Sequence, residues 1–465
     1  MNMINVRRLA VMTFLGAGML SDISAQDFSL QADTLNEARL PAQWDLQSCI
    51  DYALEQNITI RKNRVTAEST QIDVKTAKAA LFPSLSFSTS QQVVNRPYQE
   101  TSSRVSGSEI ISSNSKTSYN GNYGLNASWT IYNGSKRLKT LKQERLNNQV
   151  AELDVATSKN TIKESIAQIY IQILYAAESV RVNENTLQVS IAQRDRGQEL
   201  LNAGSIAKSD FAQLEAQVST DRYQLVTAQA TLQDYKLQLK QLLELDGENE
   251  MNVYLPKLSD ENVLAPLPAK KDVYVSALAI RPEIEASKLN VEASELGIDI
   301  AKSSYFPTIS LSAGIGTNHT SGSDFTFGEQ VKNGWNNSIG LSVSVPIFNN
   351  RQTKSAVQKA KLQRETDMLS LLDEQKALYK TIESLWLDAN SAQQRYAAAN
   401  EKLRSTQISY DLISEQFNLG MKNTVELLTE KNNLLQAQQE QLQAKYMAIL
   451  NTQLLKFYQG DKLTL

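Results

Sequence analysis

Two residue types that build many reactive centres are almost missing from this chain. It has one cysteine, Cys49, and one histidine, His319. A single cysteine excludes a disulfide within the chain, and the two residues together cannot form a Cys/His metal cluster. Any Ser–His or Cys–His catalytic pair would have to use His319, which lies in a Gly-, Ser- and Asn-rich stretch and reads as a solvated loop residue. The chain is therefore read as no enzyme, with no cofactor and no metal. Proline is scarce, at 9 of 465 residues, which leaves long tracts free to be helical. Neither sign of charge dominates: 47 Lys and Arg stand against 50 Asp and Glu, a net charge of −3. Nothing in that balance is the basic footprint of a nucleic-acid partner. No stretch beyond the N-terminus reaches the roughly 18–20 apolar residues of a transmembrane helix.

What is present begins with an export signal. Arg7-Arg8 precede the apolar run Leu9 to Leu20, and Ile23-Ser24-Ala25 offer a small-residue cleavage site before Gln26. Residues 1–25 read as a secretory signal peptide. Cys49 lies far beyond that site, so it is not a lipid-anchor cysteine. It is expected to be buried as a small apolar residue in a helix over Leu46 to Leu54. The exported chain is then either soluble or crosses an outer membrane as strands.

The rest of the chain is one plan written twice. Leu81-Phe82-Pro83-Ser84-Leu85-Ser86 is matched by Tyr305-Phe306-Pro307-Thr308-Ile309-Ser310. Each half closes its alternating segment on an aromatic-Asn pair, Tyr132-Asn133 and Phe348-Asn349, and each ends a long polar stretch on a glycine turn, Gly204-Ser205 and Gly420-Met421. Asn133 and Gly204 are 71 positions apart, as are Asn349 and Gly420 (204 − 133 and 420 − 349). The prolines are 224 apart and the glycines 216, so an arm of fixed length follows a loop of variable length. The expected halves are 26–245 and 273–459, joined by a linker over 246–272 that contains Pro256, Pro266 and Pro268, with a tail over 460–465.

Within each half the hydrophobic period changes. Helices are expected over 45–80 and 283–304, stopped before Pro83 and Pro307 because the residue before a proline disfavours the helical region. Four segments then alternate apolar and small polar residues with period two: about 82–90, 119–132, 307–317 and 336–348. Leu125, Ala127, Trp129 and Ile131 face one way, and Gly124, Asn126, Ser128 and Thr130 the other. A half-buried soluble sheet gives the same alternation, but about ten residues also fits a tilted outer-membrane strand. Aromatics at the segment ends, Phe82, Tyr132, Phe306, Trp335 and Phe348, suit membrane-interface girdles. The connections over about 91–117 and 318–333 read as solvent-facing loops. Long helical hairpins are expected over 134–245 and 350–458. From Phe211 to Leu242 the seam Phe211, Leu214, Val218, Asp221, Leu225, Ala228, Leu232, Tyr235, Leu239, Leu242 steps 3,4,3,4, as in a coiled coil. Leu428, Leu435, Leu442 and Ile449 share one heptad position in the second arm.

Four membrane strands cannot close a barrel, and open edges are not tolerated in lipid. Copies of the chain must close it: two give eight strands, and three give twelve with room for a pore. Here the sequence resembles the TolC family of outer-membrane efflux and export ducts. The tandem halves, the Phe-Pro-Ser-Leu and Phe-Pro-Thr-Ile steps, Ile131-Tyr132-Asn133-Gly134, Ile347-Phe348-Asn349 and the glycine tips carry the resemblance, from about Trp44 to Tyr458. It implies a mixed α and membrane-β fold: a homotrimeric duct in the outer membrane of a Gram-negative bacterium. Its twelve-stranded β-barrel would be continued by a periplasmic α-helical coiled-coil barrel. The implied partners are outer-membrane lipid, a periplasmic adaptor (membrane fusion) protein and an inner-membrane transporter of RND or ABC type. The implied function is the outer-membrane channel of a tripartite efflux system, with small-molecule or drug efflux the main reading. Type I protein secretion or metal efflux is the alternative. An exported coiled-coil scaffold or adhesin would explain the helices but not the four matched strands.

The resemblance also assigns residues. Gly204, Ser205, Gly420 and Met421 would be the tips that meet the adaptor. Glu426, six positions after Gly420, stands where relatives carry a pore-facing carboxylate, and Thr429 stands at their second acidic ring. Against that, Asn423-Thr424-Val425-Glu426 is a capping-box pattern at a helix start. A periplasmic gate would use Ser209, Asp210, Phe417 and Lys422. Asp210 with Lys422 is its main expected link, since Phe417 lacks the hydroxyl of the family's tyrosine and Lys422 lacks the bidentate fork of its arginine.

Overall fold

The computed structural model describes residues 41–98, 102–106, 109–113, 116–245, 251–256, 263–321, 323 and 325–464. The signal segment lies outside them. One small unit pairs Trp44 with Val253 in a parallel bridge, with Trp44 N–H donating to the Asn252 carbonyl at 2.8 Å and Tyr254 N–H to that of Trp44 at 2.8 Å. Everything that follows concerns the second, larger unit.

Helices α1 (Leu46–Gln56) and α2 (Ile58–Ala79) open the first half. Asn57 separates them and caps α2, its side-chain oxygen accepting from Thr59 N at 2.9 Å, as N-cap residues do. Cys49 is fully buried in α1. Strand β1 (Ser84–Asn95) follows, then a hairpin of β2 (Ser102–Ser106) and β3 (Glu109–Ser113), then β4 (Thr117–Asn133). The first arm is α3 (Lys136–Asn202) and α4 (Lys208–Leu242). The second half repeats the order: α5 (Lys270–Ile280), α6 (Pro282–Ser303), β5 (Thr308–Thr320), a short α7 (Phe327–Asn333), β6 (Asn336–Ser344), then the second arm of α8 (Gln352–Asn418) and α9 (Thr424–Gln459). Helices α3 and α8 each have 67 residues, about 100 Å at 1.5 Å per residue. Among the described residues no helix is long and apolar enough to cross a membrane.

The four long strands form one antiparallel sheet in the order β1-β4-β5-β6. Its register places Phe87, Leu125 and Ile315 side by side, and Ala127, Ala313 and Ile339 likewise. Most apolar positions therefore share one face, and Ser88, Gly124, Gly316 and their neighbours share the other; a register shift after Thr130 puts Tyr132, and not Ile131, opposite Ile309. Among the described residues only the short α7 touches this face, at the His319 end of β5; the rest is uncovered, with Leu85 70% exposed and Leu341 65%. The outer edges of β1 and β6 have no strand beside them within the described residues. The strands differ from the sequence expectation at their ends. β1 and β4 run on to Asn95 and back from Thr117, and part of the first connection is itself a hairpin. β6 stops at Ser344, because β5 begins at Thr308 opposite it and Pro346 has no N–H to offer a ladder.

Each strand-to-arm corner uses two consecutive left-handed residues, Gly134-Ser135 and Asn350-Arg351. A side chain on Gly134 would meet the Ser303 carbonyl oxygen at 2.6 Å. Every position of the 3,4 seam on α4 is buried or half-buried. On α9 the expected heptad position is buried at Leu442 and Ile449 but only half-buried at Leu428 and Leu435, where the buried stripe lies one position earlier, at Leu427, Lys431 and Leu434. The cause is that α9 packs on α8 and on the first arm at once. Far from the tips the two halves are joined by Arg281. Its guanidinium is buried, pairs with Glu164 at 2.8 Å and lies 3.6 Å from the Tyr458 ring.

Candidate functional site

The free ends of the two arms are built alike. At the first tip Gly204 N–H donates to Leu201 O (2.9 Å) and Ser205 N–H to Leu200 O (2.8 Å). At the second, Gly420 N–H donates to Phe417 O (2.9 Å) and Met421 N–H to Gln416 O (2.8 Å). These are paired helix-ending bonds that need a left-handed residue, and the glycines have φ of 71° and 76°. Nothing crowds either glycine, so conformation and not space requires them. Ser205 is exposed, and Met421 is 71% exposed.

Around the second tip the structure re-pairs the expected gate residues. Lys422 Nζ meets Glu426 Oε1 at 2.5 Å, and so is not on Asp210 within the chain. Asp210 instead accepts from Ala207 N–H at 3.3 Å, in the first turn of its own helix, where a carboxylate complements the helix dipole. Glu426 takes part in a full capping box, accepting from Asn423 N–H at 3.2 Å while Asn423 Oδ1 accepts from Glu426 N–H at 2.9 Å. The Lys422 hydrogen bond and then the Asn423 N–H hold the Glu426 carboxyl below the usual carboxylate range. Ser209 is exposed, and Phe417 is buried at 3% exposure. The Thr429 hydroxyl donates to the Val425 carbonyl of its own helix at 2.7 Å.

Above the tips lies a site that the sequence reading missed. Lys431 of α9 reaches into the first arm and pairs with both Asp221 of α4 and Ser190 of α3, while Ser190 donates to Asp221. All three are buried. Gln217 donates to the other Asp221 oxygen at 2.9 Å and to Asn432 at 3.3 Å. Burial pushes the Lys431 ammonium below the usual lysine range, and the Asp221 partner opposes that shift. Further ties between the arms are Gln193 to Tyr410 (2.8 Å) and Ser179 to Gln439 (3.1 Å). The signal was there: Asp221 is the one charged residue on the apolar seam between Val218 and Leu225.

His319 is a second correction. It is no loop residue but part of β5, on the face that carries Ile315 and Leu311. Its ring lies over Gly121, where a Cβ would fall 2.2 Å from His319 Cε1. Tyr119, Tyr123 and Phe327 surround it, with ring centroids 5.1, 5.9 and 5.0 Å away. Among the described residues no group of three acidic, His or Cys side chains could hold a metal ion.

Comparison with known proteins agrees with this geometry. A family model described as outer membrane efflux protein matches residues 49–244 and 273–460, one segment in each half. Outer membrane efflux protein BepC of Brucella suis is 26% identical over 294 residues, 63% of this chain and 61% of that protein. Outer membrane protein TolC of Escherichia coli is 24% identical over 341 residues, 70% of this chain and 66% of that protein. The chain thus spans about two thirds or less of these two curated relatives. A crystal structure of CusC, described in connection with transmembrane channel formation, superposes with a TM-score of 0.76. It is 19% identical, covering 90% of this chain and 92% of that one.

Proposed function

The chain belongs to the outer membrane efflux protein family, and from that premise we propose that it is the outer-membrane duct of a tripartite efflux system. Three copies close the ring, and they pass small molecules, drugs foremost, from an inner-membrane RND or ABC transporter and a periplasmic adaptor to the exterior. It acts as a conduit and catalyses no reaction. The observation that carries this reading is the four-stranded sheet, largely uncovered and with both edges unpaired among the described residues, in a chain whose two arms each contain a 67-residue helix. Three such sheets make twelve strands, enough for a lumen, and closure removes the edges that lipid forbids. The apolar face then meets lipid, and the small polar face lines the pore. Exposed stripes on helices at the two sides of the chain, Ile58, Val65 and Ile72 on α2 and Leu362 and Leu369 on α8, suit the flanks between copies.

The tips at Gly204-Ser205 and Gly420-Met421 are the adaptor contacts in this reading, and Ser209, Asp210, Phe417 and Lys422 form the region that closes when no adaptor is bound. The test is direct. The protein should need detergent for release from outer membranes, have the mass of a trimer in that detergent, and form channels in planar bilayers. A stable monomer without conductance would overturn the reading. Ser205→Trp and Met421→Trp keep both glycines, and each should abolish drug efflux while trimers still form.

A further inference from the structure

The two arms are related by a shift of 216 residues. Helices α3 and α8 begin at Lys136 and Gln352 and end at Asn202 and Asn418, and α4 and α9 begin at Lys208 and Thr424. The shift makes it possible to compare the seam inside one chain with the seam that the next copy would form. Inside the chain, Lys431 fills a groove of the first arm at Ser190 and Asp221. The shift carries Ser190 to Thr406, Gln193 to Ser409 and Gln217 to Asn433. Those three residues line an open groove of about 310 Å³ between α8 and α9, together with Lys402 and Glu430. The same shift carries Lys431 back to Glu215 (431 − 216), which is exposed on α4.

We propose that Glu215 of a second copy of this chain seats in the Thr406 groove, with Lys402 as its counter-ion. The proposal rests on the ring reading above and adds to it the register and chemistry of the seam between copies. In a ring of alternating first and second arms, each second arm faces the next copy's first arm as the first arm faces the second within a chain. The repeat thus supplies both the position and the occupant.

The charges change together. Where Lys431 enters, the groove offers Asp221. At the related seat the counterpart of Asp221 is Ala437, buried and uncharged, and a cation has been added: Lys402 stands where the first arm has Thr186. A lysine entering on an aspartate becomes a glutamate entering beside a lysine. Lys402 is free to take it, because its present partner Glu440, at 2.8 Å, is an exposed contact with both side chains more than two-fifths open to solvent. The other acid of the groove, Glu430, is already bound by Ser409 (3.1 Å) and Asn433 (3.4 Å). The two seams then differ in kind. The one inside the chain is dry and sealed, whereas the one between copies is wet and weakened by salt, so the ring parts more readily between copies than within one.

Cysteine pairing tests the register. The full-length chain carrying Glu215→Cys and Thr406→Cys, treated in membranes with a short thiol cross-linker, should give a ladder up to a covalent trimer. Either single variant should give none, since the native Cys49 is buried. A particle of trimeric mass with no ladder overturns the seat while leaving the ring standing, and a monomeric particle overturns both. The counter-ion has its own test. Glu215→Lys should shorten the lifetime of the detergent-held trimer about fivefold at low salt, and Lys402→Glu in the same chain should restore it. Failure of that restoration removes Lys402 from the seat.

Discussion

Lys431 of the second arm is ion-paired with Asp221 of the first, and the two side chains are only 4% and 1% exposed. The contact joins the halves through chemistry that the halves do not share. Its counterparts under the repeat are Glu215 and Ala437, so duplication alone did not supply it. A buried pair contributes little net stability over an apolar pair of the same shape, but losing one member leaves a sealed, uncompensated charge.

Lys431→Met should therefore destabilise the arms by about 3–5 kcal/mol, read as a fall in the thermal unfolding of helix by circular dichroism. Adding Asp221→Leu should recover most of the loss, because no charge is then stranded. A Lys431→Met protein that melts with the parent would show that Asp221 is satisfied by Ser190 and Gln217 alone.

Acid should loosen the second tip. The Glu426 carboxyl titrates below its ordinary value of 4.5, chiefly through the Lys422 hydrogen bond. A depressed folded-state value means that the contribution is present above the ordinary value and lost as pH falls through the lowered one. Hydrogen exchange at residues 423–427, corrected for its intrinsic pH dependence, should rise on acidification through that range. Glu426→Gln should abolish that acid step. Equal steps in both proteins would assign it to another group.

Gly121 makes room for His319. A Cβ there would lie 2.2 Å from the imidazole, so Gly121→Val should push the ring out from among Tyr119, Tyr123 and Phe327 and loosen α7 from β5. Faster proteolysis near 325–335, with barrel assembly retained, is the expected result. His319→Ala, which removes the ring and its contact with Phe327, should give the same faster proteolysis. Unchanged proteolysis in Gly121→Val would mean that α7 is held by the Thr317 hydroxyl on the Val331 carbonyl (2.7 Å) and not by the ring.

Much of this architecture was legible because it is periodic. The change from period 3.6 to period 2, the glycine tips and the seam on α4 each repeat a spacing, and the structure keeps them. The misses are residues whose role depends on a partner far away in sequence. Lys431 looks like any solvated lysine on a polar helix until Asp221, 210 residues earlier, is placed beside it. His319 sits in loop-like composition, but Gly121 across the strand pair gives its ring a seat. The resemblance, not a spacing, pairs Lys422 with Asp210 as gate positions, and within one chain the two do not meet. Each has a nearer partner on its own helix turn, and a local contact costs less ordering than a distant one.

That local pairing alters what a pore-facing Glu426 can do. Glu426 and Lys422 meet at 2.5 Å, so each copy brings one negative and one positive charge to the same level of the second arm, and the ring proposed above is close to neutral there. Rings of one sign set ion preference in a constriction. Glu426→Gln should leave three unpaired lysines and shift selectivity towards anions. Lys422→Gln should leave three unpaired carboxylates and shift it towards cations. Changing both should return the reversal potential under a salt gradient close to that of the parent. The sign of the two single shifts is decisive. A simple carboxylate ring, in which Lys422 points elsewhere, would lose cation preference on Glu426→Gln and be indifferent to Lys422→Gln. If neither variant moves the reversal potential, this level of the arms does not line the pore.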